Sequence, residues 1–147
     1  MTYASYALLA GAAIALQAAM NARLGVLLNS SIAATATAFF FSCLIMVAAY
    51  SLTSENLIST STIKSVPWYL WFGGLFSAFG VGMFYFLIPK MGVGPMMSLA
   101  LTGQLIIAIT SSHYGFFNLP IQQISPLKIV GVVLLIVGIV LINKEHS

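Results

Sequence analysis

Residues 11–25 read GAAIALQAAMNARLG, and the fold and the function both depend on how this stretch is interpreted. Nearly all of its side chains are small or apolar, yet Gln17, Asn21 and Arg23 lie within seven positions of one another. Unpaired polar groups are costly in hydrocarbon. If the stretch crosses a membrane, we therefore expect its amide side chains to meet partners or water inside the protein.

The composition of the whole chain indicates that its solvent is mostly lipid. Of the 147 residues, 61% are hydrophobic and 5% are charged, and the mean hydropathy is +1.07. A soluble globular domain has about 25% charged residues. The isoelectric point near 9.2 reflects a few Lys and Arg side chains at span ends, not a patch that binds nucleic acid. Cys43 is the single cysteine, so we expect a buried, inert thiol and no disulfide framework.

Five apolar windows are long enough to cross a bilayer, which takes roughly 20 residues per helix. They cover residues 3–22, 32–53, 67–89, 95–117 and 127–143. Residues 54–66 form the one substantial polar loop, and Pro67 and Pro126 stand where helices are expected to start. The runs lack the strict alternation of a transmembrane barrel. The sequence predicts an all-α polytopic protein, a single membrane domain over residues 1–147, with the first segment kept as a span.

The basic residues are nearly balanced between the two sides of the predicted membrane domain. The side with the N-terminus has Lys64 and Lys128, and the opposite side has Arg23, Lys90 and Lys144. The side opposite the N-terminus thus has one more basic residue. This difference disappears if Arg23 lies within the first helix and is not counted. By the positive-inside rule this bias is weak. Insertion in both orientations and a weak bias that arises by chance are both compatible with this count.

Small residues recur at helical spacing in three of the spans. These stripes are Gly11, Ala15, Ala18, Ala22 and Gly25 in the first span, Gly74, Ala78 and Gly82 in the third, and Gly131 and Gly138 in the fifth. In lipid, helices associate through close packing and polar contacts. We expect ordinary helix packing for the first and third spans. The fifth span has no strongly polar residue within the membrane, so its glycines predict an interface within or between subunits.

One face of the first span alternates polar and very small side chains. At 100° per residue, Tyr6, Ala10, Ala13, Gln17 and Asn21 fall on this face. Two interpretations stay open. The amides are interhelical hydrogen-bonding groups, worth about 0.6 kcal/mol each, or they line a cavity that meets a substrate.

The fourth span is the most polar. Ser98, Thr102 and His113 fall roughly on one side and Gln104 on the opposite side, so this helix is expected in the middle of a bundle. Pro95 follows two glycines and marks a candidate hinge. His113 lies near the end of the span, where it is either a proton relay or an interfacial, hydrogen-bonded histidine.

No Asp or Glu occurs inside any predicted span, since Glu55 lies in the loop and Glu145 in the tail. A proton-coupled cation pump needs an intramembrane carboxylate that changes charge, so this absence favours neutral or zwitterionic substrates. No nucleophile–base pair, phosphate-binding glycine loop or metal constellation is visible, so we predict neither an enzyme nor a cofactor.

Three stretches resemble a known family. They are QAAMNARLG (17–25), TGQLIIAITSSHYGFF (102–117) and IVGVVLLIVGIVLIN (129–143), and they are similar to the YdcZ family of bacterial inner-membrane exporters. The specific matches are Gln17, Asn21, Leu24, Gly25, Gly103, Gln104, His113 and Gly115. Members are five-helix, half-length relatives in the drug/metabolite transporter superfamily, and the resemblance covers most of the chain.

The resemblance implies half of a ten-helix, inverted-repeat transporter. The partner would be a second, antiparallel copy or a paralogue, and the substrate site would lie near the midplane between the halves. A weaker likeness links the last span, and LLAGAAIALQ (8–17), to the small multidrug resistance family. Gln17 stands where that family has its essential glutamate, which puts proton-coupled antiport in doubt.

These observations together predict a secondary transporter of the bacterial inner membrane. It would export a small metabolite or drug-like molecule by alternating access as an antiparallel dimer. The candidate substrate-binding residues are Gln17, Asn21, Tyr6, Ser98, Thr102, Gln104 and His113. The predicted partners are the substrate, the lipid bilayer and a second membrane subunit, with no nucleic acid. The alternative is a non-transporting membrane subunit within a larger complex.

Overall fold

The structure, a computed structural model, describes residues 2–53 and 58–144, and within these ranges it contains helices and no strand. The α-helices are α1 (Thr2–Leu27), α2 (Ser31–Thr53), α3 (Thr60–Ser65), α4 (Gly73–Met91), α5 (Val93–Tyr114) and α6 (Pro126–Lys144). Two short 3-10 segments, Trp68–Phe72 and Phe116–Asn118, precede α4 and follow α5. The predicted all-α class is confirmed.

Five helical segments of the described chain are long and apolar enough to cross a membrane, as predicted. The third of them, Trp68–Met91, joins a 3-10 turn to α4. The first runs to Leu27, five residues further than the sequence indicates, so Arg23 lies within α1. The predicted polar loop contains α3, which Ser59 caps by accepting a hydrogen bond from the Thr62 amide. Glu55 and Glu145 lie outside the described residues.

The described residues form two compact units, one that ends at Lys90 and one that begins at Met91. The single membrane domain over residues 1–147 stays a prediction. In the first unit, α1 and α2 form a tight antiparallel hairpin. Asn29 turns the chain with a positive φ of 51°, and the Ser30 hydroxyl accepts a hydrogen bond from the Ala33 amide at 3.1 Å. This serine satisfies one of the free amides at the start of α2.

Small side chains allow the two helices of this hairpin to approach closely. Ala18, Ala22 and Ala34 are at most 1% exposed. A methyl group added to Gly25 would lie 3.5 Å from the Cβ of Ala34, at ordinary van der Waals distance. The C-terminal half of the predicted small-residue stripe on the first span therefore packs within the subunit. At Gly11, in its N-terminal half, an added Cβ would meet no atom of the described structure within 4 Å.

Helix α4 completes the first unit. Tyr85 is 2% exposed and Ile88 is 7% exposed, so one face of its last two turns is buried. Gly82 lies against Thr35 of α2, where an added Cβ would be 3.5 Å from the threonine hydroxyl. The hydroxyl of Thr35 itself donates to the Ser31 carbonyl at 2.8 Å, which leaves no unpaired donor at this contact.

In the second unit, α5 packs against α6. Met96 of α5 and Ile139 of α6 are each 7% exposed. Helix α5 ends at Gly115, whose left-handed conformation (φ 62°, ψ 38°) lets its amide bond to the Ser111 carbonyl. The following segment folds back on the helix end, because the Gln122 amide donates to the Ser112 carbonyl at 2.9 Å.

Most of the apolar surface of the described chain is exposed. Buried residues make up only 6–11% of each spanning window, and side chains such as Leu8 and Phe76 are about three-quarters exposed. Cys43 is exposed too, so the expectation of a buried thiol is wrong: an apolar run in lipid has no need to face inward. The glycines of span five, Gly131 and Gly138, have open space at their absent side chains. Their role as an interface stays a prediction.

The α1–α2 contact predicts a strong size limit at Ala34. Leucine at this fully buried position has no room beside Gly25, and we expect Ala34→Leu to destabilise the protein by about 1–3 kcal/mol. The measurement is reversible unfolding in mixed micelles. Ala36→Leu, at an exposed position two residues along α2, is the matched control. Equal stability of the two variants would contradict the described packing.

The turn after α5 predicts a second, separable effect. In Gly115→Ala, the new Cβ would lie 2.7 Å from Cγ1 of Ile121 and the residue would keep a left-handed backbone, which costs about 1–2 kcal/mol for an L-residue. We expect Gly115→Ala to be less stable than the parent protein. Adding Ile121→Ala should restore only the part of the stability that is lost to the steric overlap. Gly103→Ala, inside α5 with open space around it, should be neutral or stabilising. A harmless Gly115→Ala variant would show that this turn is built differently.

Candidate functional site

A cluster of three hydrogen-bonding side chains lies inside the first unit. The Tyr85 hydroxyl donates to Oε1 of Gln17 at 2.8 Å. Nδ2 of Asn21 donates to the same oxygen at 3.0 Å and to the Tyr85 hydroxyl at 3.0 Å. Gln17 and Asn21 are half-buried, and Tyr85 is buried. The three side chains therefore form a closed triangle of neutral hydrogen bonds between α1 and α4.

The positions of these residues along their helices explain the cluster. Gln17 and Asn21 are four residues apart, so they lie one above the other on one face of α1. At a rise of 1.5 Å per residue, Asn21 and Tyr85 each lie about 9 Å from the C-terminal ends of α1 and α4, and Gln17 about 15 Å. If the C-terminal ends of α1 and α4 lie at a membrane face, the cluster lies within the half of the roughly 30 Å bilayer core next to that face.

An open cavity of about 580 Å³ adjoins the cluster, within the size range of small-molecule sites. Its walls come from α1, α2 and α4. The lining residues are Ile14, Gln17, Asn21, Leu24, Thr37, Ala38, Phe39, Phe41, Ser42, Ile45, Val81 and Tyr85. Apolar and aromatic groups dominate this wall, and its polar side chains are the Gln17–Asn21–Tyr85 cluster and the hydroxyls of Thr37 and Ser42. Such a combination is typical of sites that bind small organic molecules.

Sequence reasoning missed Tyr85 as a member of this site. It lies in the apolar run GVGMFYFLIPK (80–90), where aromatic side chains are read as lipid-facing or core. A usable signal was present, since a tyrosine deep in a span needs a partner for its hydroxyl. The partner itself, an amide on a helix 64 positions away, becomes visible only in the folded unit.

The second unit contains a smaller polar contact. The Ser98 hydroxyl donates to the Pro95 carbonyl at 2.9 Å and accepts a hydrogen bond from Nδ2 of Asn143 at 3.1 Å. The same Asn143 nitrogen donates to the Ile139 carbonyl at 2.8 Å, while its Oδ1 is buried without a partner among the described residues. The last span thus contributes one polar contact, because Asn143 in the last turn of α6 reaches Ser98 of α5; that this span has little role in a polar site stays a prediction.

The other predicted site residues have separate environments. The Thr102 hydroxyl donates to the Ser98 carbonyl at 3.1 Å, a bond within α5. Gln104 is exposed and makes no hydrogen bond within the described residues. Nδ1 of His113 accepts a hydrogen bond from the Ile124 amide at 3.3 Å, at the end of α5. The substrate role of each of these three residues therefore stays a prediction.

Tyr6 lies on the same helix as the amides but far from them. It is 61% exposed and does not line the cavity beside Gln17 and Asn21. Of the seven predicted site residues, the structure thus brings together Gln17 with Asn21 in the first unit and Ser98 with Thr102 in the second. The convergence of α1 and α5 on one site stays a prediction.

The fold defines the class of protein: a multi-pass α-helical membrane protein, with five spans among the described residues and a neutral polar cluster beside an open cavity. A family model described as "Putative inner membrane exporter, YdcZ" matches residues 2–141. The chain belongs to this family and is a multi-pass protein of the inner membrane. The search of curated proteins and the search of solved structures returned no match.

The geometry of the cluster predicts energetic coupling between α1 and α4. Tyr85→Phe removes one donated and one accepted hydrogen bond, and we expect it to lower stability by about 0.6–1.7 kcal/mol. In a double-mutant cycle, Tyr85→Phe and Gln17→Leu should be clearly non-additive, since they share a bond. The readout is unfolding in mixed micelles.

Tyr3→Phe provides the matched control for this cycle. Tyr3 is on α1 and is 89% exposed, and its substitution should be neutral and additive with Gln17→Leu. Additivity between the Tyr85 and Gln17 substitutions would show that the two helices are not linked through these side chains.

Proposed function

We propose that the protein is a secondary transporter that exports a small organic molecule across the inner membrane, with its substrate site at the Gln17–Asn21–Tyr85 cluster. The observation that carries this proposal is a set of three hydrogen-bonded polar side chains in a membrane-spanning bundle, open on one side to a cavity of about 580 Å³. Polar groups inside a membrane are expensive to keep and mark substrate pathways.

The alternative role for such a cluster is to hold α1 and α4 together. A cluster with only that role has no need of an adjoining cavity, and its most economical form is fully enclosed by apolar side chains. Here the buried Tyr85 supplies the link between helices, whereas the two amides remain half-buried beside the cavity. This difference in burial favours a ligand-binding role for the amides.

We further propose that the working unit is an antiparallel dimer. Its support is the largely exposed apolar surface of the spans, the open glycine face of α6 and the near balance of basic residues on the two sides. Two oppositely oriented five-helix copies would reproduce an inverted repeat, in which rocking of one half against the other exposes a central site alternately to each side. Gly92 and Pro95, at the irregular start of α5, are candidate hinge positions.

The proposal is tested by flux and topology together. In proteoliposomes loaded with a panel of small metabolites, the protein should release at least one of them, and Gln17→Leu should reduce that flux at least about tenfold, the cost of about 1.4 kcal/mol of lost binding. Gln123→Leu, in an exposed loop, should have normal flux.

Two reporters fused to the C-terminus, one active on each side of the membrane, test the dimer. Signal from both reporters supports antiparallel copies, and signal from one alone supports a fixed orientation with a different partner. If no solute crosses and the protein co-purifies with a larger membrane complex, the non-transporting subunit is the better description and the transporter proposal is abandoned.

A further inference from the structure

The hydrogen bonds of the cluster leave a defined set of groups unused. Nδ2 of Asn21 donates both of its hydrogens, one to Gln17 and one to Tyr85. Oε1 of Gln17 accepts two bonds, and the Tyr85 hydroxyl accepts one and donates one. What remains is the Nε2 amino group of Gln17, with two N–H donors, and the Oδ1 carbonyl oxygen of Asn21, an acceptor.

Neither remaining group has a partner among the described residues, and neither is sealed inside the unit. Among the described residues, Oδ1 of Asn143 is the side-chain atom that is both buried and without a hydrogen-bond partner. It belongs to the second unit, and neither of the two amide groups of the cluster is buried in this way. Nε2 of Gln17 and Oδ1 of Asn21 are therefore accessible, and both residues line the 580 Å³ cavity. If nitrogen and oxygen are exchanged in both amides, the same three hydrogen bonds form with donor and acceptor reversed. One NH₂ group and one carbonyl oxygen again remain free.

The surroundings of these two groups are uncharged. The cavity wall contains no Lys, Arg, His, Asp or Glu, and no carboxylate occurs anywhere in residues 2–53 and 58–144. Arg23 lies on another side of α1, where it lines a separate cavity with Ile88 and Pro89. A charged ligand would lose its hydration here without gaining an opposite charge, which is a large penalty in a site of low polarity.

We propose that the cluster recognises a neutral molecule that carries a hydrogen-bond acceptor and a hydrogen-bond donor side by side, as a carboxamide, lactam or amide-like heterocycle does. This inference rests on the proposed transport function and narrows its substrate class. The ligand carbonyl accepts from Nε2 of Gln17, and the ligand N–H donates to Oδ1 of Asn21. Its apolar or aromatic body lies against Phe39 and Phe41, which line the same cavity and are 38% and 59% exposed.

Tyr85 acts as a positioning residue in this arrangement. Its buried hydroxyl, together with the bond between the two amides, occupies the inner half of each amide and turns the outer halves toward the cavity. Without the hydroxyl, the bond between the two amides remains, but neither amide is tied to α4 and their paired orientation toward the cavity is weakened. A carboxylate offers no donor and an ammonium group offers no acceptor, so neither can satisfy both outer halves at once.

The test compares three probes of similar size that share a phenyl ring: benzamide, benzoate and benzylammonium. Each is titrated into the full-length protein in lipid nanodiscs, and binding is followed by calorimetry or by saturation transfer to the probe. Benzamide should bind at least about tenfold more tightly than either charged probe. Gln17→Leu and Tyr85→Phe should each weaken benzamide binding by a similar factor, and Gln123→Leu and Tyr3→Phe should leave it unchanged.

Tyr85→Phe gives a readout that a purely structural role would not. It should reduce the preference for benzamide over benzoate, even in samples whose unfolding shows that the bundle is intact. The inference is overturned if a charged probe binds as tightly as benzamide, if no probe binds, or if benzamide binds equally well to Gln17→Leu.

Flux measurements on the same preparations separate this inference from the proposed function. If the flux of a charged solute depends on Gln17 and benzamide does not bind, the proposed transport function is supported. The inference that the substrate is a neutral amide is then overturned. Gln17-dependent benzamide binding, with no flux of any solute, supports the recognition chemistry and contradicts export.

Discussion

In a bilayer, every polar group that leaves water has to find its partner within the protein, and this requirement organises the whole chain. The backbone meets it by forming five long helices. Hydroxyl side chains meet it locally: Thr35, Thr37 and Thr110 each donate to the carbonyl four residues earlier, at 2.8 Å. The amides of Gln17 and Asn21 cannot be satisfied on their own helix alone. They bond to Tyr85 of α4, and this requirement explains why the cluster lies between α1 and α4.

The same solvent explains why so little of the chain is buried. Lipid is as apolar as a leucine side chain, so exposed Leu, Ile and Phe residues along the spans cost nothing. Helix contacts are instead made by the smallest residues, as at Ala18, Ala22 and Ala34, where close approach gives good packing. Large apolar faces and the glycines of α6 remain available for lipid or for another subunit. The proposed antiparallel dimer draws on this available surface.

In the proposed site, the structural and the recognition roles fall to different atoms of the same side chains. The inner halves of the two amides bond to each other and to the tyrosine hydroxyl, which links α1 to α4. Both amide residues line a cavity whose wall is uncharged. In the proposed site, the network within the protein satisfies one half of each amide and a ligand completes the other half.

Hydropathy and helical spacing alone determined the class of fold, the number and approximate limits of the spans, and the face of α1 that carries Gln17 and Asn21. These features are local, since they depend on the length of each apolar run and on the 3.6-residue period. Only the folded units decided that Tyr85 bonds to both amides, that Asn143 reaches Ser98, and that Cys43 points outward. Each of these depends on which helix faces meet. In an apolar chain nearly every face looks alike, so the sequence pattern cannot distinguish a lipid-facing side chain from one that contacts a neighbouring helix.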